Sequence, residues 1–315
     1  MIEFRTVLKA KKSDFNINFR HPILSAGSCF AEHIGNKLDA LKIPILVNPF
    51  GIIYHPIPLA NMLNRLTNPY PFTEKDIFKN GDLWHSWMHH GSFSHPDPFV
   101  MLEGLNQGQD HAAHFLKRTN FLLLTLGTAN GFLLEKGNQV VANCHKMPGN
   151  LFQKKRTETE SIQSILEETF NRVLSINPNL KIILTVSPVR HLRDGLVSNN
   201  RSKATLLLAS EWLEKRFDQV EYFPAYELVM DDLRDYRFYA PDKMHPSQEA
   251  VDYVWNNFME TYMDNESKEF ISELQKIQLS QSHRALFPQT PSHQKFLVDL
   301  KEREEAFREK WGFEI

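Results

Sequence analysis

A serine held at a strand end and a distant Asp-x-x-His element are the residues of this chain best suited to chemistry. Ser28 lies in Gly27-Ser28-Cys29-Phe30-Ala31, directly after the apolar stretch Pro22-Ile23-Leu24. Asp242-Lys243-Met244-His245-Pro246 lies more than two hundred residues downstream. A small-residue turn can present a hydroxyl, but serine at its free pKa is a poor nucleophile and needs a base. His245 is such a base, and Asp242, three residues earlier, can hold one ring nitrogen and so fix tautomer and direction. The pair points to a Ser-His-Asp hydrolase with Ser28, His245 and Asp242 as catalytic residues. Cys29 is the rival nucleophile, since a helix start can lower a thiol pKa.

Each of these residues also has a structural reading. Ser28 can cap the helix that begins near Ala31, a role compatible with catalysis because a helix N-terminus favours developing negative charge. Asp242 and His245 can form a polar entry to the helix after Pro246-Ser247. Arg190-His191, following Ser187-Pro188, can bind a substrate carboxylate or hydroxyls, or can anchor a loop. His85, His89, His90 and His95, with His111 and His114 following, crowd a segment rich in Trp84, Trp87 and Phe93. No metal-site signature joins them to Asp82 or Asp97, so we expect no metal, with His89 and His90 lining a substrate cleft or lying exposed. Asp235, Tyr236 and Arg237 are expected to brace the loop before the base.

The elements that must position these residues are readable from apolar runs. Ile23-Leu24, Ile43 to Val47, Phe121 to Leu126 and Ile182 to Val186 read as buried parallel strands. Ala31 to Leu41, Glu158 to Leu174 and Lys203 to Phe217 carry helical periodicity, and Gln248 to Met263 reads as a closing helix. Such alternation predicts an α/β fold, a doubly wound parallel sheet with crossover helices, whose ligands bind beyond the carboxyl ends of the strands. Ser28, Gly127-Thr128 and Ser187-Pro188 all fall just past expected strand ends. Residues 48–118 interrupt the alternation and are expected to form an insertion of short helices and loops over that rim. Glu266 to Leu279 and Gln294 to Trp311 are expected as helices of a C-terminal extension, residues 264–315, outside a main domain of residues 1–263. The extension is read first as a packing strap, with an oligomerisation element or a lid as alternatives.

Bulk composition narrows the function classes. The chain has 315 residues, 42% hydrophobic and 23% charged, as an ordinary globular protein does. A formal net charge of −2 gives no electrostatic case for nucleic acid or an acidic membrane. Cys29 and Cys144 cannot form a disulfide framework, which suits a reducing compartment. Met1 to Phe15 is too charged for a signal peptide, and no run approaches the roughly 18–20 apolar residues of a membrane span. A cytoplasmic location is the resulting expectation.

The chain also resembles the GSCFA family, named for the motif at Gly27 to Ala31 and grouped with the SGNH (GDSL-like) hydrolases. Further family-like stretches are Asn48-Pro49-Phe50-Gly51, Leu126-Gly127-Thr128-Ala129, Asn143-Cys144-His145-Lys146, Thr185 to His191, and Arg234 to Tyr239 running into Asp242 and His245. The resemblance spans roughly residues 20–255. It implies a flavodoxin-like three-layer sheet and an oxyanion hole shared by the serine N–H, a glycine and an asparagine. Gly51 fits the glycine. The usual Gly-x-Asn block is here Gly127-Thr128-Ala129-Asn130, one residue too long, so Asn130 or Asn143 takes the third place. Gly27 stands where the GDSL motif has Asp. The resemblance further implies a deacylase acting on a small acylated substrate, a carbohydrate among the candidates, by hydrolysis or acyl transfer, without a cofactor. A non-catalytic carbohydrate-binding module is the alternative, favoured by the two departures; a metal-dependent hydrolase built on the histidine cluster is the third.

Overall fold

The computed structural model describes residues 5–9 and 11–313. The reading of Met1 to Phe15 thus falls partly on Met1 to Phe4 and Ala10, which lie outside the described residues.

In chain order the elements are β1 (Ile23–Gly27), α1 (Cys29–Ala40), β2 (Ile45–Val47), α2 (Pro56–Thr67), β3 (Phe78–Asn80), β4 (Leu83–His85), α3 (Pro98–Arg118), β5 (Phe121–Leu126), β6 (Asn130–Leu134), β7 (Gln139–Val140) and β8 (Phe152–Arg156). They continue with α4 (Thr159–Ile176), β9 (Lys181–Val186), α5 (Gly195–Arg216), β10 (Val220–Tyr222), a short α6 (Ala225–Glu227), α7 (Gln248–Tyr262), α8 (Asn265–Gln281) and α9 (Pro291–Trp311). Five strands form one sheet in the order β10-β9-β5-β1-β2, with every pairing parallel. Numbered along the chain, these sheet strands run 2-1-3-4-5, the flavodoxin-like order.

The alternation of side chains along each strand builds three layers. Leu24, Ala26, Leu122, Leu124, Leu126, Ile182, Leu184 and Val186 join one buried cluster with residues of α2, α3, α4 and α5. Ile23, Phe121, Leu123 and Ile183 point the other way, into a cluster with α1, α7, α8 and α9. Both faces are covered, so the strands are largely apolar, as in β5, which is buried along its whole length with Thr125 its single polar residue. Fully burying each Leu or Ile contributes about 1.5–3 kcal/mol.

The segment 48–118 is more regular than the sequence suggested. It holds the helix α2, the β3–β4 hairpin and α3, a helix of 21 residues that leads into β5. Asp97 caps α3 by accepting from Phe99 N and Val100 N, and Pro98 fills its first turn. Met101, Leu105, Ala112, Phe115 and Leu116 form its buried face. A buried Gln109 and exposed His111 and His114 dilute that stripe, which is why the helix reads as irregular. Another small sheet, β7-β6-β8, grows out of the loop after β5.

The C-terminal helices α8 and α9 pack against the chain that leads into β1. The Phe270 ring stacks on Phe19 with centroids 4.0 Å apart, and Trp311 meets Phe19 edge-on at 5.5 Å. Trp311 Nε1 donates to Glu273 at 2.8 Å, which gives its buried indole N–H a partner. Among the described residues no helix is long and apolar enough to cross a membrane.

Candidate functional site

The turn after β1 is tightly constrained. Gly27 adopts φ +144, and a Cβ there would stand 2.2 Å from the Thr125 carbonyl oxygen of the neighbouring strand. Only glycine fits both the dihedral and the approach. Ser28 follows and caps α1, its Oγ accepting from Phe30 N at 3.3 Å, while its own N–H donates to Thr125 O at 3.3 Å. Ser28 is 1% exposed, whereas Cys29 beside it is half-buried, with Sγ 3.8 Å from the Tyr54 hydroxyl. Among the described residues Ser28 Oγ makes no hydrogen bond to His245.

The chain after β2 wraps this turn. Asn48 N donates to Ser25 O, and Asn48 Oδ1 accepts from Gly27 N at 2.9 Å. Ile53 N then donates to Gly27 O at 3.0 Å, and Tyr54 O accepts from both Gly127 N and Thr128 N. Segments following β1, β2 and β5 are thereby tied together at one end of the sheet. Burial, with Cys29 next in effect, pushes the Tyr54 phenol well above its ordinary value.

The Asp242–His245 element is pinned independently. Tyr239 pairs with Pro246 in an isolated bridge, Ala240 N donates to His245 O, and Ser247 N donates to Phe238 O. Asp242 Oδ1 accepts from Met244 N and His245 N, while its Oδ2 lies 2.7 Å from His245 Nδ1. These bonds, led by those from His245, hold the Asp242 carboxyl down to about 2. Arg190 N donates to Met244 O at 3.0 Å, joining the loop to the segment after β9. The Arg190 guanidinium lies over Tyr239 at 4.1 Å and over Tyr236 at 5.3 Å. It therefore braces the loop that carries Asp242 and His245, the loop-anchoring alternative for Arg190, with Tyr236 as one of the rings it packs on.

His191 links the two halves. Its ring meets Tyr54 edge-on at 5.5 Å, and its Nε2 is buried without a hydrogen-bond partner. Burial lowers its pKa to about 4, with Lys203 and His245 near enough to depress it further, so the ring is neutral at physiological pH.

Two of the expected oxyanion donors, Gly51 N–H and Asn130 Nδ2, are engaged within the fold. Gly51 N donates to Asn48 O at 2.7 Å within its own turn, and Gly51 is glycine because φ is +78 and a Cβ would strike His90 Cβ. Asn130 opens β6 and its Nδ2 donates to Ser198 at 3.2 Å. Asn143 Oδ1 accepts from His145 N in a local turn. His89, expected to line a cleft or lie exposed, is buried instead. His89 is 1% exposed, stacked on Phe50 at 4.2 Å, and burial pushes it down to about 3. His85 and His145 pack 4.6 Å apart in the same buried aromatic group, while His90 caps the turn Gly91–Phe93. Among the described residues no three His, Cys, Asp or Glu side chains are grouped to hold a metal ion.

One residue had no signal in the sequence. Lys203, inside α5 and 1% exposed, donates through Nζ to Gly127 O at 2.5 Å and Ser187 O at 2.6 Å. It clamps the chain leaving β5 to the chain leaving β9. Burial holds it down to about 7, far below the lysine range. The unfolded chain then binds the extra proton more tightly, so Lys203's contribution to stability is lost as pH falls through about 7 and grows as pH rises towards 10. Urea midpoints of the wild type and Lys203→Met should accordingly draw apart in the wild type's favour between pH 7 and 10. A separation constant with pH would contradict the assignment.

Comparison with known proteins follows the fold. No curated protein matches the chain. Among solved structures it is similar to the Clostridium thermocellum family 3 carbohydrate esterase, with 9% identity, 81% of this chain and 98% of that one covered, and a TM-score of 0.38. A carbohydrate esterase family 3 structure from Talaromyces cellulolyticus gives 8% identity, 81% and 99% coverage, and a TM-score of 0.37. An acetyl xylan esterase from the rumen bacterium Butyrivibrio proteoclasticus gives 12% identity, 81% and 64% coverage, and a TM-score of 0.38. The sequence itself is decisive at family level: the GSCFA family model matches residues 22–258, and the chain belongs to that family.

Proposed function

We propose that the protein is a serine hydrolase of small acyl esters, a carbohydrate ester among the candidate substrates. The observation that carries this reading is the 2.7 Å pairing of His245 Nδ1 with Asp242, on a loop tied by Arg190 to the sheet rim. With Nδ1 donating to the carboxylate, the Nε2 lone pair is the one left for proton transfer. Ser28 Oγ turns about its χ1 from Phe30 N–H towards the imidazole, forfeiting one long hydrogen bond worth about 0.5–1.5 kcal/mol. Oγ bonds to the acyl carbon as its proton passes to His245 Nε2. The imidazolium then protonates the leaving alcohol, and water repeats the sequence to release the acid. An acceptor hydroxyl in place of water turns hydrolysis into acyl transfer. His191, packed on Tyr54 and near His245, is the candidate to meet the substrate's alcohol portion.

Fluorophosphonate labelling followed by peptide mapping tests the nucleophile. A Ser28 adduct is expected in the wild type and not in Ser28→Ala or His245→Ala. Equal p-nitrophenyl acetate hydrolysis by wild type and both variants would leave a binding module in its place.

A second reading rests on the difference in exposure between the neighbours. Cys29 is half-buried beside Tyr54 while Ser28 is enclosed, so Cys29 Sγ is the nucleophile in this alternative. Activity retained in Ser28→Ala and lost in Cys29→Ala selects it.

A further inference from the structure

We infer that Asn48 is the side-chain oxyanion donor of this site, an assignment that rests on the acyl-transfer reading above. Asn48 is 9% exposed, and its Nδ2 is a buried donor with no hydrogen-bond partner. The orientation of the amide is fixed chemically. Gly27 N–H at 2.9 Å requires an oxygen acceptor, so the other terminal atom must be the NH₂ group. Gly27 immediately precedes Ser28, which places that NH₂ group beside the turn carrying the nucleophile. Leaving such a donor unpaired costs about 1–3 kcal/mol, an expense that a negatively charged oxygen in reach of it removes.

The neighbouring donors make the assignment specific. Gly51 N–H and Asn130 Nδ2 are occupied within the fold, and Ser28 N–H faces Thr125 O at 3.3 Å. Asn48 is also rigid. Its φ of +46 is one that asparagine tolerates, Asn48 N is bonded to Ser25 O, and its carbonyl accepts from Gly51 N. A donor held this way needs no reorganisation as charge develops on the former carbonyl oxygen. Asn48 thus supplies, from the loop after β2, the side-chain donor that Asn130, bonded to Ser198, does not.

The test is Asn48→Asp, which keeps an acceptor for Gly27 N–H and the same shape but removes the NH₂ group. For p-nitrophenyl acetate, kcat should fall about 10²- to 10³-fold with KM nearly unchanged. Phosphonylation of Ser28, which builds a tetrahedral anionic centre, should slow in parallel. A melting temperature close to wild type separates this loss from misfolding; Asn48→Ser, smaller and neutral, is the second variant and should lose kcat likewise. If wild-type turnover depends on Ser28 and both Asn48 variants keep wild-type kcat, the Asn48 assignment falls while the esterase reading stands. If the wild type shows no turnover or phosphonylation dependent on Ser28 and His245, the esterase reading fails and this assignment fails with it.

Discussion

His245→Ala should lower kcat for p-nitrophenyl acetate by about 10²- to 10⁴-fold while leaving the fold intact. The imidazole stands on an exposed loop whose shape depends on main-chain bonds, namely Ala240 N to His245 O and Ser247 N to Phe238 O, that alanine preserves. Far-UV circular dichroism and the urea midpoint should therefore match the wild type as the rate collapses. Asp242→Asn should reduce kcat comparably, because an amide can present its NH₂ to Nδ1 and select the tautomer with the proton on Nε2. The acid limb of the pH–rate profile gives a further check. Asp242 is held down to about 2, so it stays ionised through mildly acidic pH, and its protonation contributes to lost activity only as pH approaches that value. A wild-type rate in His245→Ala would exclude the imidazole as base.

Gly27→Ala should destabilise the protein by about 3 kcal/mol or more, lowering the melting temperature by roughly 5 °C or more. Its methyl would lie 2.2 Å from the Thr125 carbonyl oxygen near the carboxyl end of β5, at φ +144. Neither the β5 backbone nor the turn can yield without breaking the register in which Gly27 faces Thr125. Gly104 is the matched control. It lies within α3 with nothing within 4 Å of its missing Cβ, so Gly104→Ala should stabilise by about 0.5–1 kcal/mol. Differential scanning calorimetry of the two variants reads both signs. Unchanged stability in Gly27→Ala would contradict the close approach at this turn.

Much of the architecture was legible because it follows from local pattern. Phe121 to Leu126 is apolar but for Thr125 and is β5; Gln248 to Met263 matches α7 to within one residue. Strands enclosed on both faces leave such runs in the sequence, and helices with one buried face leave a 3.6-residue stripe. α3 was harder, since Gln109 is buried where the stripe calls for an apolar residue. The three residues of β10 are too few to carry a period. The Asp242–His245 contact was equally legible, because the two residues lie three apart and their pairing is local.

The chain's amino acids by themselves determined the parallel α/β pattern, the glycine-serine turn and the Asp242–His245 partnership, all of which arise from neighbours in sequence. Only the tertiary structure decided which polar groups are already satisfied. Hydrogen-bond capacity is consumed by partners far along the chain: Asn130 by Ser198, Gly127 O and Ser187 O by Lys203, and Gly27 N by Asn48. A donor's availability depends on everything packed around it, and that is a property of the fold as a whole.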